Sequence, residues 1–199
     1  YSDLSSYATT RTNPLSSKYR NFDIYANHPP GGGVMLLEML NVLENFNLRD
    51  MTHNSSEYIR IVSETMKKAT LDKEMFVGDP LFIDVPLEKL LSKEYASEVS
   101  DKIKKNERTF INRVTQIEPK NTTHVSVIDQ EGNCVTMTHS LGMPSGVITD
   151  GLGFMFNGCM AVFDPRPGRA GSIAPGKSRF SSLAPTIVTK DGNPHIVLG

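Results

Sequence analysis

The chain has 199 residues, with 22 acidic and 21 basic side chains and a formal net charge of -1. Its 38% hydrophobic and 22% charged content is that of a globular domain able to bury a core. No block of like charge offers a nucleic-acid surface or a polybasic anchor, and no apolar run approaches the roughly 18 residues of a membrane span.

Residues 1–20 are rich in Ser, Thr, Tyr and Pro and show weak periodicity. Residues 21–26 alternate polar and apolar side chains and read as a strand. His28-Pro29-Pro30-Gly31-Gly32-Gly33 follows as a rigid bend and then a flexible one. Residues 34–46 turn helical, with Glu38, Asn41 and Asn45 on one face and Leu36, Leu37, Leu40 and Leu43 on the other. A strand, a glycine turn and a helix can bind an anion. The Lys-Ser/Thr pair of a nucleotide loop is missing, so close packing of the helix start is expected instead.

A second helix is expected from about Asn54 to about Glu74. Glu57 supplies the far side of a capping box, and Ile59, Val62, Met66 and Ala69 form the buried stripe. Gly78-Asp79-Pro80 ends that region. A third helix follows Ser92, with Tyr95, Val99 and Ile103 on its inner side. Residues 102–108 read as a solvated face, and residues 104–120 as a mobile linker running into Asn121-Thr122.

Residues 121–129 form an alternating, β-branched run, and residues 134–140 form another. Gln130-Glu131-Gly132-Asn133 between them carries turn chemistry, so the pair reads as a β-hairpin. Pairing back from the turn sets Ser140 opposite Thr122 or Thr123, with His124 and His139 close by. Beyond it lie a Gly-rich segment, residues 142–158, and an irregular one, residues 163–171. Lys177, Ser178, Arg179, Ser181 and Ser182 cluster two cations with three hydroxyls. A second hairpin turns at Asp191-Gly192-Asn193-Pro194. Helices first and antiparallel strands after give an α+β layered domain. Cys134 and Cys159 have no metal-ligand spacing; two buried thiols are expected, with a disulfide left open. The chain starts without Met and ends inside a strand-like run, so it reads as a fragment of a longer polypeptide.

A threonine hydroxyl is a weak nucleophile until a base takes its proton. Cutting the chain just before the threonine supplies one, because the freed α-amine has a pKa of about 8 and sits on the same residue. This is the threonine–amine form of nucleophilic catalysis. It needs a threonine at the very start of a strand, preceded by a tract that can bend, and Thr122 meets both requirements. The plainer reading is an ordinary threonine-rich strand end.

Asn121-Thr122-Thr123-His124 with its hairpin through Asp129, Gly132-Asn133 and Ser140 resembles the γ-glutamyltranspeptidase family. So do Tyr19-Arg20-Asn21-Phe22-Asp23-Ile24-Tyr25, the Pro29 to Gly33 bend, Leu40-Asn41-Val42-Leu43-Glu44-Asn45-Phe46, Gly78-Asp79-Pro80-Leu81-Phe82, Phe180-Ser181-Ser182-Leu183-Ala184-Pro185-Thr186-Ile187-Val188 and the final Leu198-Gly199. The resemblance covers nearly the whole chain in order. It implies an N-terminal nucleophile hydrolase with a four-layer αββα sandwich, seen across the junction of its two subunits. Residues 1–121 would end the large subunit, mostly helical, and residues 122–199 would begin the small one.

By the same resemblance the cut falls between Asn121 and Thr122. Thr122 is the nucleophile, and Ser140 stands where the family has a threonine bonded to it. Ser181 and Ser182 match the pair that holds the substrate carboxylate, and Arg179 could add charge. At the places where the family grips the substrate amine, this chain has Cys159 and Val162, and Gly142 replaces a polar residue. The implied reaction is cleavage of γ-glutamyl, glutathione-type amides through a threonyl ester. The alternatives are a smaller, oxamate-like amide acid as substrate, or a family member without turnover. No metal or organic cofactor is implied. The implied partners are a small-molecule amide and the two subunits of one precursor, able to assemble further, with no nucleic acid.

Overall fold

The computed structural model describes residues 2–111 and 121–199. The expected linker lies outside the described residues from position 112 to 120. A single helical turn, α1 (Ser2–Ser5), opens the chain. Strands β1 (Leu15–Tyr19) and β2 (Phe22–Ala26) then pair antiparallel, with Leu15 facing Ala26 and Tyr19 facing Phe22. Strand β2 had been legible from its alternation; β1 had not. Its middle is Ser16-Ser17-Lys18, and Ser17 turns to the polar side chain of Asn41, donating to its Oδ1 at 2.8 Å.

Helix α2 (Gly33–Leu43) packs on β1 and β2. Of the expected apolar face only Leu37 is buried; Leu36, Leu40 and Leu43 are half-buried, and Val34 and Val42 are buried beside it. Two residues of its polar face, Glu38 and Asn41, are buried as well, while Asn45 is exposed. Asn41 is 1% exposed and fully engaged: it accepts from Ser17 and from Lys93 Nζ at 2.7 Å and donates to Leu91 O at 3.0 Å. Glu38 is 2% exposed. Contacts of α2 with the neighbouring helices make this part of the polar face an interior one.

After a 3-10 turn at Leu48–Asp50 comes α3 (Ser56–Phe76). Its cap is Ser55, whose Oγ accepts from Tyr58 N at 3.3 Å, and not Asn54, which sits at a left-handed φ of 60° just outside the helix. Glu57 pairs with Arg60 instead of closing a capping box. The buried stripe is also rotated from the expected one. Ile61, Thr65, Ala69 and Asp72 are inside, whereas Ile59 and Met66 are exposed. A short helix α4 (Leu87–Leu90) leads to α5 (Lys93–Lys104), capped by Ser92 Oγ accepting from Tyr95 N at 3.1 Å. Val99 and Ile103 are buried as expected, and the run after them is exposed.

Two apolar clusters result. One, including Ile24, Leu37, Val77, Leu90 and Val188, sits between α2 and the sheet. The other, including Val42, Ile61, Ala96 and Val99, joins α2, α3 and α5. No helix among the described residues is long and apolar enough to cross a membrane.

The second half is strands. The predicted hairpin forms from β3 (Asn121–Ile128) and β4 (Cys134–Gly142). Its turn is held by the Asp129 carboxylate, whose Oδ1 accepts from the backbone N of Glu131 and Asn133 at 2.9 and 2.8 Å. Those bonds, and that from Asn133 Nδ2, lower the Asp129 pKa. The Gly-rich segment adds two unforeseen strands, β5 (Pro144–Ile148) and β6 (Met155–Asn157). A 3-10 turn at Cys159–Val162 follows. The second predicted hairpin is β7 (Thr186–Lys190) and β8 (Asn193–Leu198), which extend the first sheet in the order β1-β2-β7-β8.

Hairpin β3–β4 lies against β8 and the neighbouring β7. Its register puts Thr122, His124 and Ser126 on one face with Thr136, Thr138 and Ser140. That face meets β8, where Thr136 Oγ1 donates to Leu198 O at 3.0 Å. The other face carries Val125, Val127, Val135 and Met137, all exposed.

Candidate active site

Thr122 and Ser140 are direct partners in the hairpin register. Thr122 Oγ1 donates to Ser140 Oγ at 3.1 Å. Ser140 Oγ also accepts from Gly142 N at 2.9 Å, which fixes the acceptor at the end of β4. Thr122 is exposed, so an incoming carbonyl can reach its hydroxyl. The strand ladder is irregular at one point only along β3: the register shifts between Asn121 and Thr122, where Asn121 pairs with Gly142. Gly142 has φ +62°, a region that favours glycine. The peptide bond expected to break therefore sits at the break in the pairing.

Cys159 borders this point. Its Sγ donates to Leu141 O at 3.2 Å, and a Cβ on Gly142 would lie 2.7 Å from that sulfur. The thiol thus occupies the space that a side chain at 142 would need. Both cysteines are free and half-buried; they are not bonded to each other, and neither is as deeply buried as expected.

Ser181 and Ser182 belong to a second cluster, built on the glycine bend. Ser181 N donates to Pro30 O at 2.8 Å and Gly32 N donates to Leu183 O at 2.9 Å. Asn27 ties both ends together: its Nδ2 donates to Leu183 O at 3.0 Å and its Oδ1 accepts from Gly33 N at 2.9 Å. A Cβ on Gly32 would fall 2.6 Å from Ser182 O. Packing of the helix start, rather than anion binding, accounts for the glycines. Ser182 is exposed and Ser181 half-buried, so their hydroxyls border solvent. Arg179 Nη1 donates to Phe180 O at 2.9 Å, which turns part of the guanidinium to the backbone.

Two residues with positioning roles here were not singled out from the sequence. Asn27 had no signal beyond its place before the proline pair. Asp79 carries no site role in the sequence, where it stands in the helix stop and in one of the motifs of the resemblance. It is 3% exposed, and its Oδ2 accepts from Ser178 N at 2.7 Å, anchoring the strand of chain that leads to Arg179 and Ser181. His139 faces away from the nucleophile's side of the hairpin, opposite Thr123. A cleft of about 920 Å³ opens between Tyr25, Ile187, Asp79 and Thr136; it includes none of Thr122, Ser140, Arg179, Ser181 or Ser182.

The mixed helices and antiparallel sheets match the fold of the N-terminal nucleophile hydrolases. Cephalosporin acylase from Bacillus halodurans superposes on 98% of this chain with a TM-score of 0.81 at 27% identity, using 35% of its own length. The chain belongs to the gamma-glutamyltranspeptidase family, whose model matches residues 1–199. It is 33% identical to the glutathione hydrolase proenzyme of Escherichia coli (strain K12) over 215 residues, 99% of this chain and 37% of that protein. It is 36% identical to the acylase ACY 1 proenzyme of Pseudomonas sp. (strain V22) over 201 residues, 99% of this chain and 36% of that protein. The chain thus spans little more than a third of the length of these relatives.

Proposed function

We propose that this chain is the junction region of an autoprocessed amide hydrolase or acyl transferase whose nucleophile is Thr122. The reading rests on the 3.1 Å pairing of Thr122 Oγ1 with Ser140 Oγ at the first turn of the ladder. Both relatives above are named as proenzymes, which supports a precursor cut into a large and a small subunit, here between Asn121 and Thr122.

The steps follow from the groups present. Thr122 Oγ adds to the Asn121 carbonyl, the C–N bond breaks, and water hydrolyses the resulting ester. This leaves a carboxylate on Asn121 and a free amine on Thr122. With a pKa near 8, that amine is partly neutral at physiological pH and takes the Thr122 hydroxyl proton. The alkoxide attacks the substrate amide, the proton passes to the leaving amine, and a threonyl ester forms. Water or an acceptor amine releases the acyl group. Ser140 holds the Thr122 hydroxyl in line throughout. The hydroxyls and backbone amides of Ser181 and Ser182 can bond a substrate carboxylate, with Arg179 adding positive charge.

A γ-glutamyl amide of the glutathione type is the substrate that the family supports. The place of Cys159 favours a second reading, an acyl group with the carboxylate but without the α-amine. A thiol already donating to Leu141 O gives an ammonium no strong acceptor.

Intact mass of the full-length protein tests the mechanism. Two fragments meeting at Asn121/Thr122 are expected in wild type, and one uncut, inactive chain in Thr122→Ala. A wild type that hydrolyses amides while remaining in one piece would refute it. Rates on paired γ-glutamyl and des-amino anilides then separate the two substrates.

A further inference from the structure

Two residues past the nucleophile, on the same face of β3, His124 uses both ring nitrogens. Nδ1 lies 2.8 Å from Thr138 Oγ1. Nε2 lies 2.8 Å from Ser126 Oγ and 3.3 Å from Thr136 Oγ1. The ring therefore links its own strand to β4 directly beneath the Thr122–Ser140 pair. It also touches β8. The backbone of Gly199 passes so near that a Cβ there would lie 2.5 Å from Cε1 and 3.0 Å from Thr138 Oγ1.

The protons in this network can be placed. A carbonyl oxygen only accepts, so the single hydroxyl proton of Thr136 goes to Leu198 O. Thr136 Oγ1 can then meet Nε2 only as an acceptor, and a hydrogen on Nε2, shared with Ser126 Oγ as the nearer acceptor, serves both. In the neutral ring Nδ1 is left as an acceptor, and the Thr138 hydroxyl donates to it. One tautomer satisfies every partner, and it orders the hydroxyls of both hairpin strands and the end of β8 together. A histidine whose second nitrogen fixes its tautomer is a recognised means of setting geometry.

We infer that His124 is a positioning residue for Thr122: its Nε2–H tautomer clamps β3, β4 and β8 in one register, so that the Thr122 and Ser140 hydroxyls stay aligned. The inference rests on the threonine-nucleophile reading above and adds to it a residue that touches neither substrate nor the reacting atoms. An error in alignment one step from the nucleophile acts on the chemical step more than on binding, because substrate grip lies with Ser181 and Ser182 on another element.

The test uses full-length wild type, His124→Leu, His124→Gln and Thr138→Val. Leu fills the ring volume without hydrogen bonds; Gln carries an amide N–H that can replace Nε2–H. The expected result for His124→Leu is kcat lower by about tenfold or more with KM within about twofold, and His124→Gln within about threefold of wild type, as for loss of a transition-state alignment. Thr138→Val, which removes only the donor to Nδ1, should lower kcat with KM held, and it decides the matter should His124→Leu not fold. Long-range 1H–15N spectra of the imidazole should show hydrogen on Nε2 and none on Nδ1. Hydrogen on Nδ1, an unchanged kcat in both His124→Leu and Thr138→Val, or equal losses in Leu and Gln would overturn the inference. A wild type that never splits at Asn121/Thr122 is a different failure: it removes the reaction itself.

Discussion

Glu38 on α2 faces Asp72 on α3 within hydrogen-bond reach in the interior between the helices. Asp72 is 0% exposed and takes two further partners, Lys68 Nζ at 2.5 Å and Tyr95 OH at 2.8 Å. Glu38 Oε1 has no hydrogen-bond partner and is buried. Burial first, then the bond and the charge of Asp72, push the Glu38 pKa up to about 9, with Lys68 opposing. The same carboxylate, added to burial, pushes the Tyr95 hydroxyl well above its ordinary range.

The sign of the resulting pH dependence follows from proton counts. Between the ordinary carboxylate range and about 9, the folded chain holds a proton on Glu38 that the unfolded chain has lost. Rising pH therefore favours unfolding across that window, by at most about 1.4 kcal/mol per pH unit for one proton. Glu38→Gln keeps a donor to Asp72 and removes the titration. Thermal melts of wild type and Glu38→Gln from pH 5 to 9 should show nearly equal Tm at the acid end and a variant increasingly the more stable toward pH 9. Parallel Tm curves would show that Glu38 does not hold that proton.

Ser140 offers a test at the site itself. Its Oγ is the acceptor for the Thr122 hydroxyl. Ser140→Ala leaves that hydroxyl to rotate, and loss of one orienting hydrogen bond costs about 0.5–1.5 kcal/mol, or about 2- to 13-fold in rate. Ser140→Thr keeps the oxygen and should stay near wild type. Both the half-time of the Asn121/Thr122 cut and the acylation burst should slow in the alanine variant. Unchanged burst rates would remove Ser140 from the mechanism.

Gly32 is where the helix start meets the serine pair. A methyl there would lie 2.6 Å from Ser182 O and 2.8 Å from Ser182 C, both backbone atoms that cannot swing aside. Gly32→Ala must push residues 181–183 away from the 27–33 bend, at a cost of about 1–3 kcal/mol in stability for an overpacked contact. Because Ser181 and Ser182 are proposed to bind the carboxylate, KM should rise several-fold, while the cut at Asn121/Thr122 proceeds at its usual rate. Slower processing with an unchanged KM would mean that this bend serves the hairpin instead.

The hairpin was legible because its pattern is local. Alternating residues fix a face, Gly132-Asn133 fixes the turn, and the count from turn to Thr122 then follows. What sequence periodicity could not show was polar burial. The stripe of α3 was misjudged because Asp72 and Glu64 face inward, one to Tyr95 and Lys68, the other to Thr109 N at 2.8 Å and Lys67. Charged residues at those positions read as solvent-facing until their partners from distant helices are known. Strand β1 was lost for the same reason, since Ser17 is satisfied by Asn41, 24 residues away. The clamp made by Asn27 spans 156 residues to Leu183 and has no local signature at all.

Cys159 bears on which acyl group is preferred. Its thiol donates to Leu141 O and fills the hollow left by Gly142, the residue that pairs with Asn121. Cys159→Asn is the informative change. The amide nitrogen can keep the donation to Leu141 O, and the amide oxygen adds an acceptor where the thiol has almost none. An ammonium held by one such bond gains about 1.5 kcal/mol or more, roughly a tenfold effect. The ratio of kcat/KM for γ-glutamyl over des-amino anilide should therefore rise about tenfold in the variant, mainly through the γ-glutamyl KM. If the ratio does not move while both substrates are still turned over, the α-amine does not visit this corner, and the acyl group lies with its amine turned toward solvent.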